Sequence, residues 1–181
     1  LTLAGKTDVD AAVIAARAAL PQWQGMPGNK RRDLLLKLAD LLERSNAELQ
    51  ALSTIENGSP TMIAGYMGPV AAERFRYYAG WTDKITGDTL SAWNGPAHNY
   101  VTCEPYGVIG AIIPWNGPLF AAAMVMAPAL AAGNCVVIKS PELAPYCVMK
   151  LVALCREAGF PPGVVNLVTG GADVGEAIVG H

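Results

Sequence analysis

Three short polar clusters hold the residue types that could do chemistry. The first is Asn116, a lone carboxamide between Pro114-Trp115 and Gly117-Pro118, inside a stretch with no charged residue from position 106 to 138. The second is Lys139-Ser140-Pro141-Glu142, which sets an ammonium and a carboxylate three residues apart. The third is the glycine-rich Thr169-Gly170-Gly171-Ala172-Asp173-Val174-Gly175. A carboxamide buried without partners costs about 1–3 kcal/mol, so Asn116 either makes a structural bond or faces a ligand. Its structural alternative is to cap a helix starting near Leu119. Lys139 and Glu142 can equally be a surface ion pair of little worth. The glycine cluster lacks the strict G-x-G-x-x-G spacing and the acidic residue that follows it in a dinucleotide fingerprint, so an ordinary strand-to-helix turn suffices for it. Taken together they weigh more, because each directly follows a strand-like apolar run.

Those runs alternate with helical patterns. Residues 108–113, 135–139 and 164–168 read as buried strands, and 119–132 and 145–158 as helices, the second closed by Gly159; a last helix begins near Asp173. Val- and Ile-rich strands separated by helices imply βαβ units and a parallel sheet covered on both faces. In such a sheet ligands bind beyond the carboxyl ends of the strands, and parallel strands bring all three clusters to one edge.

The first part of the chain reads as helical. Thr7 is placed to cap a helix carrying Val9, Ala12, Val13, Ala16 and Leu20 and ending at Pro21. A second helix carries Leu34, Leu38, Leu41, Leu42, Leu49 and Leu52 on one stripe, opposite Arg31, Lys37, Asp40, Arg44 and Glu48, and ends at Asn57-Gly58. A third covers 70–82. Between 88 and 104, two short strands flank an Asn94-Gly95-Pro96 turn.

Composition narrows the function classes. Of 181 residues, 52% are hydrophobic and only 15% charged, against roughly 25% charged in an ordinary globular chain, which suggests surface normally covered by something else. A net charge of −2 gives no basic footprint, so no nucleic acid partner is expected. The long uncharged run is broken by Pro114, Asn116, Gly117, Pro118 and Gly133-Asn134 into pieces too short to span a bilayer. The N-terminus lacks the pattern of a secretory signal. No membrane association and a cytoplasmic location are therefore expected, and the start at Leu1 suggests a piece of a longer protein. Cys103, Cys135, Cys147 and Cys155 form no C-x-x-C pair and lie far in sequence from His98 and His181, so no metal site is expected and the four read as buried reduced thiols.

The series EPYGVIGAIIPWN, PALAAGNCVVIKSPELAP and GFPPGVVNLVTGGADVGEAI closely resembles the NAD(P)-dependent aldehyde dehydrogenase superfamily, from Asp8 onward. That resemblance implies N-terminal helices followed by the first βαβαβ part of a doubly wound, Rossmann-like sheet. It assigns 1–87 and 105–181 to a partial NAD-binding domain and 88–104 to a hairpin used in homo-oligomer formation, with the catalytic domain outside this chain. It implies oxidation of an aldehyde to an acid with NAD, NADP also being possible, by a cysteine thiolate that forms a thiohemiacetal and passes a hydride to the nicotinamide. Asn116 then matches the carboxamide that stabilises the oxyanion. Lys139 and Glu142 match the pair at the adenosine ribose, where a carboxylate accepts from a 2′-hydroxyl and repels a 2′-phosphate. Ile112, Ile113, Pro114, Trp115 and Asn116, the Ser140-Pro141 turn, and Gly171 with Gly175 match segments lying along the cofactor.

The nucleophilic cysteine and general-base glutamate of the family have no counterpart in these residues, and none of the four cysteines has the matching context. Gly117, Phe120, Ala121 and Met124, with Val125 where some relatives carry lysine, lead us to expect an apolar or aromatic aldehyde. Two rivals are a non-catalytic nucleotide-binding scaffold and a CoA-acylating relative.

Overall fold

The computed structural model describes residues 2–181. Four helices come first: α1 (Lys6–Gln24), α2 (Gly28–Arg44), α3 (Asn46–Asn57) and α4 (Thr61–Ala79). An antiparallel pair follows, β1 (Asp88–Leu90) and β2 (Asn99–Val101). The remainder alternates: β3 (Val108–Ile112), α5 (Pro118–Ala131), β4 (Cys135–Ser140), α6 (Tyr146–Ala158), β5 (Val165–Thr169) and α7 (Ala172–Val179). The strands β3, β4 and β5 pair in that order, all parallel. The expected mixed α/β architecture with a hairpin is thus present.

Burial explains why this half was readable. All six residues of β4 are buried, since it is the middle strand and is covered on both faces, by α1 on one side and α5 on the other. The starts of the strands are pinned by carboxamides. Asn134, just before β4, accepts from the Gly107 N–H at 2.8 Å and donates to the Ala129 carbonyl at 3.1 Å. Asn166 in β5 donates to the Gly163 carbonyl at 2.7 Å. Pinning the starts sets the register, which pairs Ile112 with Lys139 and Ser140 with Thr169 at the opposite ends. The three following loops therefore leave the sheet at one level.

The helical half departs from the sequence reading in four places. Helix α1 begins after Gly5, not at a Thr7 cap, and runs through Pro21 to Gln24. Pro21 loses one backbone bond, but Trp23 beyond it is fully buried and stacks at 5.4 Å on Phe160, and that packing outweighs the local rule. The long leucine helix is two helices, α2 and α3, joined at Ser45, which carries no Gly or Pro to announce the break. Arg31 does not belong to the polar face. It is 9% exposed, with Nη1 donating to the carbonyls of Met26 at 2.6 Å and of Trp23 and Gln24 at 3.4 Å, where α1 ends. Finally, α4 starts at Thr61, nine residues earlier than expected, and contains Pro69; its buried face of Ala64, Gly68, Ala71, Ala72 and Phe75 carries it past the proline.

Candidate functional site

The carboxyl ends of the three strands do converge. Gly175 in the first turns of α7 is the measure of it: a Cβ built there would lie 3.6 Å from Ile112 Cδ1 at the end of β3 and 3.9 Å from Lys139 Cδ in β4. The ends of β3 and β4 thus meet the first turns of α7 within van der Waals distance, and the Asn116 loop continues directly from the β3 end. Gly171 is the residue before α7, and a Cβ on it would meet only the Asp173 carboxylate, at 3.3 Å. That leaves the N-terminal N–H groups of the helix accessible to an acceptor.

Lys139 is 5% exposed, and its ammonium pairs with the half-exposed Glu142. Its Nζ lies 3.2 Å from Glu142 Oε2. An ammonium has three N–H donors, and this pairing occupies one. The Glu142 carboxyl is held below the usual range first by its own backbone N–H and then by Lys139, so it is a carboxylate at neutral pH. Between them Ser140 is fully buried, and its Oγ has no hydrogen-bond partner among the described residues. The surface ion-pair reading does not describe this arrangement, because one partner is buried and keeps spare donors. A polyhydroxyl ligand could use those donors, with the carboxylate as acceptor.

Asn116 is exposed, contrary to what a carboxamide in so apolar a stretch suggests. It is not the cap of α5 either: Gly117 takes that position without any side-chain bond, and Pro118 fills the first turn, where its missing N–H costs nothing. The side chain of Asn116 makes no hydrogen bond among the described residues, which leaves both donors free. Around it Ile112 is 49% and Trp115 55% exposed, whereas Ile113 is 3% exposed and its side chain belongs to the core. Pro114 is exposed and Pro141 buried. Residues that fit a dinucleotide are therefore present: an apolar wall, a glycine that lets a ligand approach backbone, an ammonium with free donors and a paired carboxylate.

Two residues at the end of α3 were missed by sequence reading. The Glu56 carboxylate accepts from the backbone N–H groups of Tyr146 and Cys147, at 2.5 and 3.1 Å, where α6 begins, and the Asn57 amide donates to the Trp115 carbonyl at 3.3 Å. Their partners lie 58 to 91 positions away, and no local pattern announces such a contact.

The cysteines are not part of the rim. Cys135, Cys147 and Cys155 are buried, but Cys103 is exposed, which corrects the expectation for that one. Burial pushes the Cys135 thiol up to about 11 and that of Cys155 to about 12; Cys147 is raised further, by burial and then by Glu56. All three stay protonated at neutral pH and none is a nucleophile. Alkylation of the native protein at pH 8 followed by peptide mapping should leave these three unlabelled, and denaturant should expose them; native labelling of any of them would contradict the burial.

A cavity of about 900 Å³ lines β5 with Ala4, Asp8, Arg156 and Phe160, but it contains none of the predicted site residues. Among the described residues no helix is long and apolar enough to cross a membrane.

Comparison with known proteins agrees with this fold. The model of the aldehyde dehydrogenase family matches residues 1–181. Human mitochondrial aldehyde dehydrogenase is 46% identical over 181 residues, which are 97% of this chain and 35% of that protein. The crystal structure of PnpE in complex with nicotinamide adenine dinucleotide superposes with a TM-score of 0.96 at 42% identity, covering 100% of this chain and 37% of that one. The NAD+ complex of an aldehyde dehydrogenase from Bacillus cereus gives 0.95 at 44%, covering 99% and 37%. The chain spans about a third of the length of the relatives it matches.

Proposed function

The chain belongs to the aldehyde dehydrogenase family, and from that premise we propose that the whole protein oxidises an aldehyde to a carboxylic acid with NAD, NADP being a possible substitute. The observation that carries the proposal is the meeting of Ile112, Lys139 and Gly175 at one rim. Lys139 donates to the adenosine ribose and Glu142 accepts from its 2′-hydroxyl. Ile112 and Trp115 lie along the cofactor with the backbone of Ile113 and Pro114, Ser140 and Pro141 form the floor beside the ribose pair, and Gly171 and Gly175 admit the adenine half. NAD, when bound, supplies the hydride acceptor. Asn116 donates its N–H groups to the aldehyde oxygen as negative charge develops there, and aspartate in its place would repel that charge. The nucleophile and general base belong to the part of the protein outside residues 1–181.

The apolar character of Phe120, Ala121 and Met124 and the open space beside Gly117, where an added Cβ meets nothing within 4 Å, favour an apolar or aromatic aldehyde. The hairpin β1–β2 exposes Leu90, Tyr100 and Val101, and Trp93 between the strands is 94% exposed. Apolar groups so placed support 88–104 as the arm of a homo-oligomer, with 1–87 and 105–181 as part of the NAD-binding domain. We place the protein in the cytoplasm.

The test is NADH formation by the full-length protein with NAD and a panel of aldehydes. Apolar and aromatic members should give the higher kcat/KM. NAD binding without NADH from any member would overturn the reading in favour of a scaffold, and turnover only with coenzyme A would favour the acylating relative. A second expectation concerns cofactor choice. Glu142→Gln removes the carboxylate facing a 2′-phosphate, so the NADP-to-NAD ratio of kcat/KM should rise about tenfold, a modest factor because the group is partly solvated. An unchanged ratio would remove Glu142 from the ribose site.

A further inference from the structure

We propose that the C-terminal end of α3 is the brace that positions the oxyanion donor, with Asn57 as the positioning residue for Asn116. The inference rests on the oxyanion reading of Asn116 and deepens it. The loop Pro114-Trp115-Asn116 is exposed, and among the described residues it has a single hydrogen bond, from Asn57 Nδ2 to the Trp115 carbonyl at 3.3 Å. The bond falls one residue from the carboxamide that must be placed.

The orientation of the Asn57 amide is fixed by chemistry. Its other end accepts from the Ser59 backbone N–H at 3.1 Å and from Ser59 Oγ at 2.7 Å. A backbone N–H can only donate, so the atom facing Ser59 is the oxygen and the atom facing Trp115 is the nitrogen. Gly58, at φ +71, closes α3 with the left-handed turn that brings Ser59 back to this position. The neighbouring Glu56 holds the first N–H groups of α6. Two consecutive residues at one helix end thus tie down the loop after β3 and the helix that follows the Lys139–Glu142 turn. The end of α3 sets the distance between the oxyanion donor and the cofactor half of the site.

Asn57→Asp in the full-length protein separates the two jobs of the side chain. It keeps an acceptor for Ser59 and loses the donor to Trp115. We expect kcat to fall about tenfold, as loosened placement of a catalytic group does, with Kd for NAD within about twofold of wild type and an unchanged melting temperature. In a double-mutant cycle, Asn57→Asp on an Asn116→Ala background should cause no further loss, because there is no donor left to position. Since a new negative charge at a helix C-terminus is itself unfavourable, Asn57→Ser, too short to reach Trp115, is the second variant if the first melts early. An unaffected kcat in a folded Asn57 variant, or an equal loss on both backgrounds, overturns the proposal while leaving the oxyanion reading intact. Wild-type turnover by Asn116→Ala alone would instead sink the oxyanion reading and the proposal with it.

Discussion

Replacing Asn116 by alanine should lower kcat by about 100- to 1000-fold, the usual loss when one oxyanion donor is removed, and should leave the melting temperature unchanged. The second half of that expectation gives the first its force. Asn116 is exposed, and Gly117 is the residue that caps α5, so truncation breaks no hydrogen bond within the described residues. Surface changes of this kind alter stability by only about 0.5 kcal/mol. A large kinetic loss therefore cannot be attributed to unfolding. Asn116→Asp sharpens the test, because it keeps the shape of the side chain while reversing the sign of what it presents to the oxygen; it should be at least as damaging as alanine. Steady-state kcat and KM with one apolar aldehyde, set beside thermal melts, provide the check. A kcat within threefold of wild type for Asn116→Ala would leave the developing charge to other donors.

How far the sequence discloses such a site depends on the range of the interactions that build it. β4 reads directly from CVVIK because a strand buried on both faces must be continuously apolar, and Lys139 at its end stands out for the same reason. The hairpin follows from Asn94-Gly95-Pro96. The convergence of the three clusters follows from parallel topology, which needs only the alternation of strand and helix. The helical half is less transparent because its local signals are overruled by contacts distant in sequence. Pro21 and Pro69 mark helix ends by the local rule, yet Trp23 and Phe75 lie fully buried beyond them and hold the helix on course. Arg31 has the charge of a solvent-facing residue, but the free carbonyls at the end of α1 give it a better partner inside. Asn116 shows the opposite error, an exposed amide in an apolar context, since the loop leaves the sheet edge before α5 turns back into the core. Glu56 and Asn57 were invisible because each looks like a polar residue ending a helix, and only the tertiary fold reveals what each one touches.

Gly163→Ala should be strongly destabilising, at about 3 kcal/mol or more. Gly163 stands at φ +86 in the turn entering β5, and a Cβ there would lie 2.5 Å from the Ala15 carbonyl oxygen and 3.0 Å from Ala19 Cβ on α1. Two costs add. A non-glycine residue in left-handed backbone pays about 1–2 kcal/mol, and forcing an atom into a packed contact pays about 1–3 kcal/mol more. The obstructing atom is backbone of a helix packed on β4 and β5, so relief requires shifting the helix itself. Gly58→Ala isolates the first cost, because Gly58 is at φ +71 with nothing within 4 Å of the added carbon. Gly117→Ala is the blank, having neither positive φ nor a neighbour. At about 2–4 °C per kcal/mol for a domain of this size, the melting temperature should fall by about 6–12 °C for Gly163→Ala, a few degrees for Gly58→Ala and not at all for Gly117→Ala. The turn matters to the site because the Gly163 carbonyl anchors Asn166, and with it the strand that delivers the Gly171–Gly175 turn to Ile112 and Lys139. Equal melting temperatures for the Gly163 and Gly58 variants would show that α1 yields freely, and the sheet edge would then owe its alignment to something other than this contact.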